Sequence, residues 1–213
     1  MLRTLTINKN RGVNRFNNPL NMDATYVWDI LNGYLNREND VQQRSGIAKF
    51  NSTAITGTPV IRYLYEAKWD DGNKRMICRA GTAWYKEDGD AIWDSLDAAR
   101  TADAQGQAVM MSNTLIMVDG GVARKSDSAW TVANLTADTN APTDPTAVHI
   151  HNHHLILNST ANPLKIYIGA LNSLTDFTTS KDALILDLRV YLTGGDTIIG
   201  YASVGEDYLV ILL

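Results

Sequence analysis

Four times along this chain a short alternating strand opens a block of strands joined by turns, and that recurrence limits the fold more than any other feature. The first block is the template. Ile61, Tyr63 and Tyr65 alternate with Arg62, Leu64 and Glu66, Asp71-Gly72 turns the chain, and residues 75–79 return with Met76 and Cys78 on one face. Residues 82–86 form a third β-prone segment around Trp84 and Tyr85, Asp88-Gly89-Asp90 turns again, and residues 91–96 carry Trp93 outward. Short alternating runs joined by Asp-Gly turns leave no room for crossover helices, so residues 60–96 read as a four-stranded antiparallel meander.

The plan returns at residues 107–111, 115–118, 122–125 and 129–134, with Asp119-Gly120-Gly121 as a turn. After Pro142, Asp144 and Pro145 it returns again at 146–150, 155–158, 165–169 and a tail through Asp176-Phe177. A fourth start covers 197–203 and 208–213. First strands at Ile61, Gln107, Thr146 and Thr197 stand 46, 39 and 51 residues apart, near the ~40–50 residues of a propeller blade. A sandwich of two sheets produces similar runs. Grouping in fours, each group ending in an aromatic strand (Trp93, Trp130, Phe177), favours the propeller. The fold expected is all-β, with β-propeller-like four-stranded antiparallel blades over residues 51–213, three of them complete and a fourth begun. A ring needs about four to eight blades to close. The apolar run Tyr208-Leu209-Val210-Ile211-Leu212-Leu213 would leave an open edge, so the fourth blade is expected to continue past Leu213.

Residues 1–50 differ from the rest of the chain. They read as an N-terminal arm: a short strand over 3–8, turn chemistry at Gly12-Val13-Asn14 and Asn17-Asn18-Pro19, and a short helix over 23–34. In that helix Ala24, Val27, Trp28 and Leu31 are at helical spacing behind Asn21 or Asp23 as cap. Residues 36–46 read as loop or edge strand. The arm holds seven Lys or Arg against four Asp or Glu, a net +3, whereas the remaining 163 residues carry twelve against nineteen, a net −7. A basic arm on an acidic body makes Arg11, Arg15, Trp28 and Arg37 the candidate subunit contacts; packing of the arm on its own domain is the other reading.

Nucleic-acid readout needs basic residues clustered along one face, which this distribution lacks. The single cysteine, Cys78, has no partner for an internal disulfide, and its strand position suits a small buried apolar residue. No apolar run approaches the ~20 residues of a membrane helix, and the N-terminus has no signal-peptide core, so synthesis in the cytoplasm is expected. All four histidines fall in His149-Ile150-His151-Asn152-His153-His154. On a straight strand His149, His151 and His153 would share a face and could hold a zinc ion. Asn152-His153 reads better as a turn that splits the set, so no metal, cofactor or catalytic group is assigned.

Other chemistry is weaker. Ser126-Asp127-Ser128-Ala129-Trp130-Thr131 resembles a sialidase corner but lacks its glycine and spacing, and Gly194-Gly195-Asp196 has no following lysine and reads as a turn rather than a phosphate loop. Trp69, Trp84, Trp93 and Trp130 could stack sugars but fit packing between blades better. The protein is therefore read as a non-enzyme, with a carbohydrate-binding or glycan-cleaving propeller as the alternative.

Gly12-Val13-Asn14, the 23–32 segment and Arg44-Ser45-Gly46, followed by the blades, resemble the start of propeller-type tail proteins of short-tailed bacteriophages. Ile166-Tyr167-Ile168-Gly169-Ala170 and Leu174-Thr175-Asp176-Phe177-Thr178 are similar to their blade ends, where a strand meets an Asp-Trp or Asp-Phe corner. The resemblance implies a structural virion protein, the tail tube or nozzle below the portal and adaptor. It implies a homo-oligomeric ring, six-fold, that touches portal or adaptor and tail fibres or tip. Such a ring conducts DNA without reading its sequence and closes the genome exit. An acidic body is compatible with a duct through which DNA slides.

Overall fold

The tightest turns identified in the sequence adopt the backbone they require: Gly72, Gly89 and Gly120 all have positive φ, at 84°, 98° and 81°. Around them the computed structural model describes residues 33–35, 41–43, 53–90, 92–135, 138, 140–178, 182–192 and 196–213. The chain separates into two compact units, Met1–Lys49 and Phe50–Leu213. In the first, β1 (Gly33–Leu35) pairs antiparallel with β2 (Val41–Gln43). The helix expected over 23–34 lies outside the described residues except for its last two, and these belong to β1: Gly33 is a poor helix interior and extends instead. Gly12-Val13-Asn14, Arg44-Ser45-Gly46 and Gly194-Gly195 lie outside them too.

The second unit is all-β and propeller-like. Its first sheet is β3 (Ile61–Lys68), β4 (Lys74–Ala80), β5 (Ala83–Glu87) and β6 (Trp93–Asp97), paired in chain order. The second is β7 (Gln107–Met111), β8 (Thr114–Val118), β9 (Arg124–Ser126) and β10 (Val132–Asn134), and the third β11 (Val148–His151), β12 (His154–Leu157), β13 (Lys165–Ile168) and β14 (Leu184–Asp187). Two strands, β15 (Gly200–Val204) and β16 (Tyr208–Leu212), form a half-blade. Every pairing is antiparallel between neighbours, and the first strands stand side by side, β3 by β7, β7 by β11 and β11 by β15. Among the described residues no helix is long and apolar enough to cross a membrane.

The second strands explain the packing. β8 and β12 read as unbroken apolar runs because both of their faces are covered, and the two-residue period deals alternate side chains to different neighbours. Leu115 and Met117 enter the cluster of Ala67, Trp69, Ile77 and Trp84 between blades one and two. Ile116 and Val118 enter the next one, with Val148, Leu155, Leu157 and Phe177, between blades two and three. Ile156 points the other way, into the cluster of Ile166, Leu188, Ile198 and Tyr201 against the half-blade. Trp84 is wholly buried against the backbone of Gly106, where a Cβ would lie 2.6 Å from its ring. That glycine is required for space, since its φ is ordinary.

Two expectations are corrected. The fourth strand of the third blade is β14, not the tail through Asp176-Phe177. Phe177 is buried in a loop, where its N–H and the Thr178 hydroxyl donate to the Asp138 carboxylate at 2.5 and 3.0 Å and hold that stretch against the end of the second blade. Aromatic residues do not close each blade either. Trp93 sits in β6, but Trp130 is in the turn before β10 at φ 65°, its ring edge-on to Trp69 at 4.5 Å.

Candidate functional site

Polar side chains that the sequence scatters over a hundred residues meet at the ends of the inner strands, where one blade must be fastened to the next. At the junction of blades one and two the fastening is ionic. Arg79 on β4 and Asp119, directly after β8, have no exposed side-chain surface and bond at 3.0 Å. Arg79 also donates to the carbonyls of Gly81, Ala83 and Thr101. Asp119 accepts from Trp84 Nε1 at 3.2 Å and from Arg100 at 3.1 and 2.5 Å. Beyond it, Arg100 and Arg124 share Asp97. Burial pushes the Asp119 carboxyl up, but the Arg100 and Arg79 guanidiniums more than offset this and hold it below the usual carboxylate range.

The junction with the half-blade is neutral. Asn158, directly after β12, is buried. Its Oδ1 accepts from the N–H groups of Thr146 and Ala147, both at 2.8 Å, and its Nδ2 donates to Thr146 Oγ1 and to the Ile198 carbonyl at 2.7 and 3.0 Å. Gln107 at the start of β7 reaches two other blades, accepting from Val148 N–H at 3.1 Å and donating to the Ile199 carbonyl at 3.2 Å. Beside these amides lies a cleft of about 350 Å3 whose walls include Gln105, Thr160, Thr197 and Ile198. Nearby Asp144 accepts from Ser159 Oγ at 2.8 Å and Ala161 N–H at 2.7 Å, and from the Thr160 hydroxyl. Burial raises its carboxyl, and these donors more than offset that, leaving it lowered.

At the other end of β11 the histidine segment forms the expected turn. Asn152 and His153 have φ of 48° and 62°, and β11 and β12 pair His151 with His154 across it. The turn splits the set: His149 and His151 face β15, whereas His154 Nδ1 lies 2.7 Å from the Gly169 carbonyl. His149 Nε2 and His151 Nδ1 both bond Ser203 Oγ, at 2.8 and 2.9 Å. Burial, then the neighbouring His151, pushes the His149 imidazole down. Among the described residues no three His, Cys, Asp or Glu side chains come together as a metal-binding group.

The remaining surface of note is the far side of the half-blade. Tyr201, Leu209 and Ile211 face the third blade. The opposite face presents Val204, Tyr208, Val210 and Leu212, all exposed, and among the described residues β16 pairs only with β15. Among the described residues the buried Tyr201 hydroxyl has no hydrogen-bond partner, and burial pushes it well above the usual tyrosine range.

Of the residues singled out from the sequence, Arg11, Arg15, Trp28 and Arg37 lie outside the described residues. Cys78 is buried, which pushes its thiol up to about 12 and keeps it protonated. Trp69 and Trp84 are buried in the core and present no face to a sugar. Arg79, Gln107, Asn158 and Ser203 were not singled out. A polar residue placed directly after an apolar second strand, Asp119 or Asn158, is the signal that could have marked the junctions.

No family model matches the chain, and no curated protein matches it. Among solved structures it is similar to the extracellular domain of BT4673 from B. thetaiotaomicron, described as a hybrid two-component system and also as a one-component system. Identity is 13%, coverage 76% of this chain and 20% of that one, and the TM-score 0.54. It also matches the N-terminal domain of Nup159 at 9% identity, covering 71% of this chain and 38% of that one, with a TM-score of 0.44. The chain thus spans about a fifth of the length of the BT4673 domain. At 13% identity the likeness to the BT4673 domain is one of fold.

Proposed function

We propose that this protein is a structural component of a short-tailed phage virion. Its place would be the tail tube or nozzle below portal and adaptor, where copies form an axial ring that conducts DNA and closes the genome exit. The observation that carries the reading is the succession of four-stranded antiparallel blades whose first strands stand side by side. The half-blade presents Val204, Tyr208, Val210 and Leu212 on its outer face, and in this reading further polypeptide, from the same protein or a neighbouring copy, covers them in the assembled particle. The sequence resemblance in the arm and the blade ends supplies the kind of assembly. In the same reading the buried polar groups at the ends of the inner strands fasten blades, and the acidic body lets DNA pass without adhesion. Cryo-electron microscopy of the particle tests this: a symmetric axial ring containing this chain supports it, and a chain absent from purified virions refutes it.

A second reading, carbohydrate binding, rests on the cleft beside Asn158, whose size and uncharged wall, apolar at Pro163, Ile198 and Ile199 with amides at Gln105, Gln107 and Asn158, would admit one sugar ring. Binding of a glycan panel by the isolated chain, abolished by filling the cleft with Thr197→Trp, would favour it.

A further inference from the structure

At one end of their contact, strands β11 and β15 meet through two imidazoles and one hydroxyl. His149 and His151 are two residues apart on β11 and so share a face, and Ser203 stands opposite on β15. Its Oγ is 2.8 Å from His149 Nε2 and 2.9 Å from His151 Nδ1. Beside them Asn152 Nδ2 donates to the Glu206 carbonyl at 2.7 Å, which ties the β11–β12 turn to the β15–β16 turn. The rest of the interface between the third blade and the half-blade is apolar, with Ile156 and Ile166 in one cluster with Tyr201.

The number of protons this end can hold follows from counting donors. With both rings neutral, the hydroxyl gives its single proton to one ring and accepts an N–H from the other. One further proton is tolerated, because the imidazolium donates to Oγ while the hydroxyl still donates to the neutral ring. A second is not. Both rings then donate, the hydroxyl proton loses its acceptor, and two positive charges stand within about 6 Å of each other, since both nitrogens lie within 2.9 Å of one oxygen.

The surroundings offer these charges nothing in return. Among the described residues Glu206 and Asp207, in the β15–β16 turn, form no ion pair with either ring. His154, opposite His151 on β12, is engaged with the Gly169 carbonyl, and His153 lies in the turn. Strand β7, along the other side of β11, carries no titratable residue, and the Tyr201 hydroxyl on β15 stays neutral. His149 and His151 are half-buried and Ser203 is exposed, so protons reach the cluster from solvent.

We propose that His149, His151 and Ser203 form an acid-released clasp: the second proton opens this end of the interface and frees the β15–β16 turn from the third blade, while the apolar cluster holds the remainder. Burial, then the neighbouring His151, already keeps the His149 imidazole below its ordinary range. The stability it contributes is therefore complete above the unfolded value, ~6.5, and is lost as the pH falls through the lower folded value.

The test is a proton NMR titration of the whole chain from about pH 8 to about pH 4.5, following the ring protons of both histidines and their nuclear Overhauser contacts with Ser203. Two separated steps are expected. Contacts with Ser203 persist through the first and are lost with the second, and those within the cluster of Ile156, Ile166 and Tyr201 remain throughout. In His151→Gln the second charge is absent, so the His149 step should move up toward ~6.5 and its contact with Ser203 should survive at the acid end. His149→Gln provides the same comparison at His151 if the first variant does not fold. His153→Ala should move neither step. Ser203 contacts that survive the second proton in the unsubstituted chain, that are lost equally in His151→Gln, or that disappear only together with the apolar contacts would overturn the proposal.

Discussion

Two blade junctions in this protein solve the same problem with opposite chemistry. Between blades one and two the residue that follows the second strand is a carboxylate, Asp119, buried between Arg79 and Arg100. Between the third blade and the half-blade it is an amide, Asn158, serving two backbone donors, a hydroxyl and a carbonyl. A buried ion pair recovers its desolvation cost only while every partner remains, whereas an amide asks for hydrogen bonds alone. The first junction should therefore be the more sensitive to losing one group, and the Asn158 contacts themselves the more indifferent to pH, although the neighbouring Asp144 carboxyl is also held low.

The largest effect expected is that of Asp119→Ala. It strands Arg79 and removes the acceptor of Trp84, and should cost about 3–5 kcal/mol in urea unfolding. Asn158→Ala leaves the amides of Thr146 and Ala147 without their acceptor and should cost about 2–3 kcal/mol. If the order reverses, the ionic junction is not the more sensitive one.

Acid provides a finer comparison. The Asp119 carboxyl is held lower in the folded chain than in the unfolded chain. Its contribution is thus complete above the unfolded value, ~3.9, and is lost as the pH falls through the lower folded value. Hydrogen exchange during acidification should show the amides of β4, β5 and β8 losing protection, with an onset that moves in Asp119→Asn. The amides of Thr146 and Ala147 should not follow that shift. A loss of protection at both junctions with one shared Asp119-dependent onset would break the distinction.

The blades were legible from the sequence because each carries its own punctuation. Asp-Gly turns and alternating runs place β3 to β5 within a residue or two, and the apolar runs of β8 and β12 declare strands covered on both faces. The fourth strand of the third blade was missed because Asp176-Phe177 looks like a strand end. Phe177 is placed by Asp138, 39 residues away, and a contact of that range leaves no local pattern. The junctions were hidden for the same reason. Arg79 sits in an alternating strand like any outward-facing arginine, and only Asp119, 40 residues later, turns it inward. His149 and His151 were visible, and so was the turn that separates them from His153, but their partner Ser203 lies in a different blade.

The proposed role predicts that the far face of the half-blade is covered by neighbouring polypeptide in the assembled particle. Cys78 is buried and protonated, so a cysteine introduced as Val210→Cys would be the one reactive thiol among the described residues. Maleimide should label Val210→Cys rapidly in the isolated chain and at least tenfold more slowly in the assembled particle. Equal labelling in both would mean that the face remains open and would contradict a role carried by protein contacts there.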